Sequence, residues 1–274
     1  MKSSPRALLA VAAVASLVAG CGGSDNAPDL SAGAKVDIGG WSLYIQCKGT
    51  GSPTVVLDAG LDNAHTDWKE VELRVARRTR TCSYDRSGVG KSDIRHSRPA
   101  VVPAEQVVDE LHELLARAEV SPPYVLVGHS LAGLNARLFV NRHSGDLAGL
   151  VFVDPASPEN FRRGKTWPEY PNGAAISYRT AYDSARSVAF GELPVIVLHA
   201  WRGRASTGEE ARELANRASN GLLAHTSTSH GIHRDEPGLV VEAINLVVES
   251  ARADDLLPPC RKTQLTRLGG ECPS

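Results

Sequence analysis

Tyr124-Val125-Leu126-Val127-Gly128-His129-Ser130-Leu131-Ala132-Gly133 decides how this chain is read. Tyr124 to Val127 is a short apolar run of the kind that becomes a buried strand. Gly128 ends it, and Leu131, Leu134, Leu138 and Phe139 then recur at helical spacing. The segment is therefore a strand, a tight turn and a helix start, with Ser130 at the turn. It fits the pattern G-x-S-x-G with one departure: Ala132 stands where a second glycine is usual. Alanine is the next smallest residue, and Gly133 follows at once. A serine before a helix often only caps it, but a buried strand in front and an amphipathic helix behind favour an exposed nucleophile.

Outward from this point, apolar strands alternate with helices. Val36 to Ile38 and Trp41 to Cys47 read as a hairpin around Gly39-Gly40, and Thr54 to Leu57 and Thr81 to Tyr84 as buried strands. Pro103 to Ala118 predicts a helix, with Val107, Val108, Leu111, Leu114 and Leu115 on one face. Leu150 to Val153 and Val195 to Leu198 are further buried strands, Leu222 to Thr226 is a weaker one, and Pro237 to Ser250 is a closing helix. Continuous Val/Ile/Leu strands separated by helices predict an α/β fold with a mostly parallel sheet covered on both faces. Between about 155 and 193 the alternation stops and Trp167, Tyr170, Tyr178 and Tyr182 appear, which reads as a short cap insert. The tail from 251 to 274 shows no periodicity.

With 274 residues, 42% apolar and 22% charged, the composition is that of a globular domain and excludes disordered and fibrous classes. Lys+Arg 30 against Asp+Glu 31 leaves no basic excess for nucleic acid, so no nucleic-acid partner is expected. Residues 1–20 carry Lys2 and Arg6 before the apolar run Ala7 to Gly20, which is shorter than the roughly 20 residues of a bilayer-spanning helix. They read as a signal peptide. Val18-Ala19-Gly20-Cys21 resembles the lipobox of bacterial lipoproteins, which implies lipidation of Cys21, and residues 21–34 serve as a tether. The expected location is the outer face of a bacterial membrane, reached through that lipid anchor, or secretion.

Four cysteines remain beyond Cys21: Cys47, Cys82, Cys260 and Cys272. An even number in an exported chain argues for two disulfides, and three pairings are possible. Cys47–Cys82 and Cys260–Cys272 are favoured, because the first two fall in predicted strands and the last two bracket a short tail. A zinc site would want a C-x-x-C or a paired-His spacing, and the chain has neither.

Residues 35–250 resemble the α/β-hydrolase superfamily. Besides the Ser130 turn, Tyr84-Asp85-Arg86-Ser87-Gly88-Val89-Gly90-Lys91-Ser92-Asp93 is similar to the superfamily's D-R-x-G-x-G-x-S-D loop. Gly90-Lys91-Ser92 also looks like the end of a phosphate-binding loop, but that motif needs glycine at position 85, where Asp85 stands. The resemblance implies an oxyanion hole from two main-chain N–H groups. Leu131 would supply one, and Leu61 the other, from Asp58-Ala59-Gly60-Leu61 in the superfamily's H-G-x position.

The triad histidine of this superfamily follows the last strand. Ser229-His230-Gly231-Ile232-His233-Arg234-Asp235-Glu236-Pro237 resembles the pattern G-H-x-x-H-x-x-x-P, which implies His230 as the base, with His233 packing or hydrogen-bonding nearby. His129 adjoins Ser130, but its side chain is expected to point away from the site. The acid is open. The usual place, after the superfamily's seventh strand, reads His199-Ala200-Trp201-Arg202-Gly203-Arg204 without a carboxylate. A known variation puts the acid at the end of the sixth strand, where Asp154 stands before Pro155; Glu209 or Glu210 are the alternatives, and Asp154 could instead be a turn residue.

These residues imply a serine hydrolase acting on a small acyl substrate, most simply a carboxylic ester, with no metal or organic cofactor required. Two rivals stand beside it. One is an aminopeptidase, with Glu159, Glu169, Asp183 or Glu192 available to hold a free amine. The other is a surface binding protein on a retired hydrolase scaffold.

Overall fold

The Asp37 carboxylate accepts from the Gly39 and Gly40 N–H groups and closes a hairpin between β1 (Ala34–Asp37) and β2 (Ser42–Lys48). The structure is a computed structural model describing residues 29–95, 101–161, 175–179, 181–203 and 205–273. Residues 1–28, with the signal peptide and Cys21, lie outside the described residues, as do Trp167, Glu169 and Tyr170. After the hairpin come β3 (Thr54–Asp58), α1 (Lys69–Val75), β4 (Thr81–Tyr84), β5 (Val101–Pro103) and α2 (Ala104–Arg117). β6 (Tyr124–His129), α3 (Ala132–His143), β7 (Leu147–Val153), β8 (Ala175–Ser177) and α4 (Tyr182–Ser187) follow. The remainder is β9 (Gly191–Ala200), α5 (Gly208–Ala215), β10 (Ala218–Thr226), α6 (Ile232–Asp235), α7 (Pro237–Ala253) and β11 (Gly270–Glu271).

Among the described residues one sheet runs β1-β2-β4-β3-β6-β7-β9-β10-β11, parallel from β4 through β10 and antiparallel at both ends. β5 and β8 pair apart from it. The apolar runs are continuous because both sheet faces are covered. Val56, Leu126, Leu150, Phe152, Val195 and Val197 join one core with residues of α2, α3 and α5. Their neighbours Val55, Leu57, Val125, Val127, Val151, Val153, Ile196 and Leu198 join a second core with residues of α1 and α7. Period-two alternation with an apolar residue at every position is what a strand buried on both sides requires. α3 is enclosed in the same way, buried from Ala132 through Val140.

Chain order turns back at β3, with β4 on one side of it and β6 on the other. That places a crevice outside the carboxyl ends of β3 and β6, where open α/β sheets bind ligands. The turns after β3, β6, β7 and β10 all open at this end.

The tail, expected to be irregular, instead supplies β11, an antiparallel edge strand that pairs His225 with Glu271 and Thr226 with Gly270. Its Leu265 is buried in the second core. Two residues are too short a strand to show a period. Disulfides join Cys47 to Cys82, facing partners on β2 and β4, and Cys260 to Cys272 in the tail. Each bridge restricts the unfolded chain, so reduction is expected to lower stability by roughly 2–4 kcal/mol per bridge. Urea midpoints with and without reductant test this; coincident midpoints would contradict it.

Candidate active site

Ser130 sits at φ 53°, in the left-handed region that non-glycine residues seldom occupy. Three backbone hydrogen bonds hold it there. Its N–H donates to Val153 O at 3.1 Å, and its carbonyl accepts from Gly133 N at 3.0 Å and Ala156 N at 2.9 Å. Gly128 is required, because a Cβ there would stand 2.6 Å from the Ala132 carbonyl oxygen. The departure at Ala132 is harmless: its methyl is fully buried, and the close approach to Pro155 is made by Gly133. Leu131 is the N-cap of α3, so its N–H lies at the helix's free positive end.

Asp154, at the tip of β7, is also left-handed (φ 42°) and fully buried. Its N–H donates to Leu198 O at 2.7 Å. One carboxylate oxygen accepts from Ala200 N at 3.0 Å, and the other lies 2.6 Å from His230 Nδ1. An ionised carboxylate only accepts, so His230 carries its proton on Nδ1 and leaves Nε2 free to take one. The His230 ring is 40% exposed and so reachable by substrate. Gly203 lies against the Asp154 carboxylate with no space for a side chain.

His129 does not turn away. It follows Val125 and Val127 on the same strand face, toward the second core, and the loop carrying His230 crosses that face. The two rings lie 4.6 Å apart, and His129 Nε2 donates to the His230 carbonyl at 3.0 Å. Beneath it His233 packs on Trp68 and donates from Nε2 to Asp67 at 2.7 Å. Burial would raise the Asp67 carboxyl, but hydrogen bonds from His233 and Asn63 and the His233 and Arg234 charges bring it down to about 2. Asp67, His129 and His233 each bring a potential metal-ligating atom within 4.8 Å of the others. Their hydrogen bonds already employ both Nε2 atoms and the carboxylate, and the arrangement reads as a buttress under the His230 loop.

The turn Asp58-Ala59-Gly60-Leu61 lies beside the serine: a Cβ on Gly60 would stand 2.8 Å from His129 Nδ1 and 3.6 Å from Ser130 Cβ. Arg86 holds this turn from behind, donating to the Asp58 carboxylate, the Gly60 carbonyl, Ala59 O at 2.6 Å and Leu61 O at 3.0 Å. The structure thus brings Ser130, Asp154, His230, Leu131 and the Leu61 turn to one end of the sheet. Glu209 and Glu210 lie elsewhere, in the first turn of α5, where Glu210 forms a capping box with Thr207 and accepts from Ser157. Sequence reasoning missed the supports from Ala200, Gly203, Arg86 and His129; of these, Arg86 carried a signal in the D-R-x-G-x-G loop and His129 in its alternation with Val125 and Val127.

A profile of the alpha/beta hydrolase family matches residues 55–266, and the chain belongs to that family. An uncharacterised Bacillus subtilis (strain 168) protein, YqjL, is 28% identical over 222 residues, covering 72% of this chain and 84% of that one. A thermophilic esterase from Thermogutta terrifontis superposes with a TM-score of 0.66 at 20% identity, covering 80% of this chain and 98% of that one. A bromoperoxidase from Bacillus anthracis superposes at 0.61 and 18%, covering 79% and 99%. At these identities the two structures show the shared fold.

Burial pushes His129 well below the usual histidine value, with the neighbouring His233 and His230 acting the same way. The unfolded chain takes up a proton near pH 6.5 that folded His129 refuses, so stability falls as pH drops below 6.5. His143 and His225, also lowered first by burial, act in the same sense. The expected contribution of His129 is up to about 1.4 kcal/mol per pH unit. Unfolding midpoints between pH 7 and 5 should decline less steeply in His129→Gln than in the wild type; parallel slopes would contradict the assignment.

Proposed function

We propose that this hydrolase is an exported serine esterase working through an acyl-enzyme. The observation that carries the reading is the 2.6 Å contact between buried Asp154 and His230 Nδ1, at the sheet end where Ser130 occupies its strained turn. Ser130 Oγ attacks the ester carbonyl carbon while His230 Nε2 takes its proton. The tetrahedral oxyanion is held by the Leu61 and Leu131 N–H groups. It collapses with loss of the alcohol, which receives the proton from His230. Water, deprotonated by His230, then attacks the acyl carbon, and the intermediate collapses to the free acid as Ser130 Oγ leaves and takes the proton back from His230. Asp154 fixes the imidazole tautomer and stabilises the imidazolium.

An ester substrate is supported by the short segment between β7 and β9 and by the likeness to the Thermogutta terrifontis esterase; the fold alone serves several chemistries. Two of the acidic residues an aminopeptidase could use are engaged or distant. Glu159 accepts from Tyr182 and pairs with Arg186, and Glu192 is exposed at the amino end of β9, opposite the site. Against a retired scaffold, Asp154 supplies the acid that the segment after β9 lacks. Asp154→Asn is expected to lower kcat on p-nitrophenyl acetate by about 10⁴. A loss below tenfold in a folded variant would contradict this role.

Export is supported by the two disulfides, which belong in an oxidising compartment. The proposed anchor is a lipidated Cys21. Cys21→Ser should move the protein from the membrane fraction to the soluble fraction; unchanged fractionation would remove the anchor.

A further inference from the structure

We propose that Arg86 is the positioning residue of the oxyanion hole, and that Tyr178, in the segment between β7 and β9, sets it through Asn135 and Asp58. The inference rests on the serine-hydrolase reading above and adds how the hole is held.

In a trans peptide the C=O and N–H lie in one plane and point in opposite directions. Arg86 Nη2 donates to the Gly60 carbonyl, so the Leu61 N–H at the other end of that peptide faces away from Arg86. Turned over, the same peptide would present its carbonyl oxygen to a developing oxyanion. The guanidinium suits this task because it is a rigid planar fork. Its four bonds to the Asp58 carboxylate and to three successive carbonyls define the turn's orientation, where a lysine ammonium would supply only a point charge.

Arg86 is in turn oriented by a buried relay. Asp58 accepts from Arg86 at one oxygen and from Asn135 Nδ2, on α3 just after the serine turn, at 3.0 Å at the other. Because the carboxylate can only accept, the Asn135 amide must present its NH₂ to Asp58 and its oxygen outward. That oxygen receives the Tyr178 hydroxyl at 2.6 Å. The donor and acceptor of each hydrogen bond from Tyr178 through Asn135 to Asp58 are thereby assigned. Tyr178, Asn135, Asp58 and Arg86 are all at most 4% exposed, so a hydrogen bond lost at one end cannot be replaced by bulk water. Seating of the 175–179 segment through Tyr178 is thus coupled to the direction of the Leu61 N–H.

The test compares wild type, Tyr178→Phe, Arg86→Lys and the double variant in p-nitrophenyl acetate hydrolysis and in inhibition by an alkyl trifluoromethyl ketone. The ketone's hemiketal oxygen uses the oxyanion hole as the transition state does. Arg86→Lys should lower kcat by about 100-fold and Tyr178→Phe by about tenfold, each with KM little changed. The ketone's inhibition constant should rise by the same factors. The double variant should lose no more than Arg86→Lys alone, since both act on one relay. Wild-type kcat and inhibition in the single variants, losses confined to KM, or fully additive losses would each overturn the proposal. If Arg86→Lys does not fold, Tyr178→Phe, which removes one hydroxyl, decides by the kcat and inhibition readouts. A wild type with neither turnover nor ketone binding would instead overturn the hydrolase reading itself, and this inference with it.

Discussion

The backbone of Ser130 is the constraint on which the rest of the site depends. A left-handed serine costs of order 1–3 kcal/mol and persists only where its surroundings over-determine it. Here its N–H is tied to Val153 on the neighbouring strand, and its carbonyl to Gly133 on the following helix and to Ala156 beyond β7. One residue therefore joins β6, β7 and α3, and the geometry that raises its side chain also fixes where β7 ends. Asp154 follows Val153 directly, so the bond that holds Ser130 in its left-handed turn also sets where Asp154 begins. The left-handed turn at Asp154 carries its carboxylate back under His230.

The polar groups around this corner fall into two supports. On one sheet face, Asp67, His233 and His129 pass hydrogen bonds and ring contacts up to the His230 carbonyl. On the other, Tyr178, Asn135, Asp58 and Arg86 reach the turn that carries Leu61. Apart from half-buried Asp67 their members are buried, which strengthens each bond and makes every unpaired member expensive. The two supports are joined by Asn63, whose N–H donates to Leu61 O at 2.7 Å and whose side-chain amide donates to Asp67.

The sheet and its two covering layers were legible because strands buried on both faces leave uninterrupted apolar runs, and the helices between them leave a 3.6-residue period. Ser130 and His230 were legible from their places relative to such elements. The surroundings of Asp154 were harder to read, since an Asp-Pro at a strand tip is equally a turn and the Ala200 N–H and Gly203 that cradle its carboxylate are 46 and 49 residues away in the chain. The direction of His129 follows from strand alternation with Val125 and Val127, but its contact with His230 depends on a loop 101 residues later. Arg86 sits in a recognisable loop, yet its four acceptors belong to a turn whose shape no local pattern encodes. β5, β8 and β11 are too short to show a period.

The central claim is that Ser130 is an activated nucleophile. Intact mass of the 22–274 protein after exposure to a fluorophosphonate, with Ser130→Ala alongside, tests it most directly. The account predicts a single adduct on the wild type and none on the variant. A folded wild type that stays unmodified, or an adduct that persists in Ser130→Ala, would contradict it.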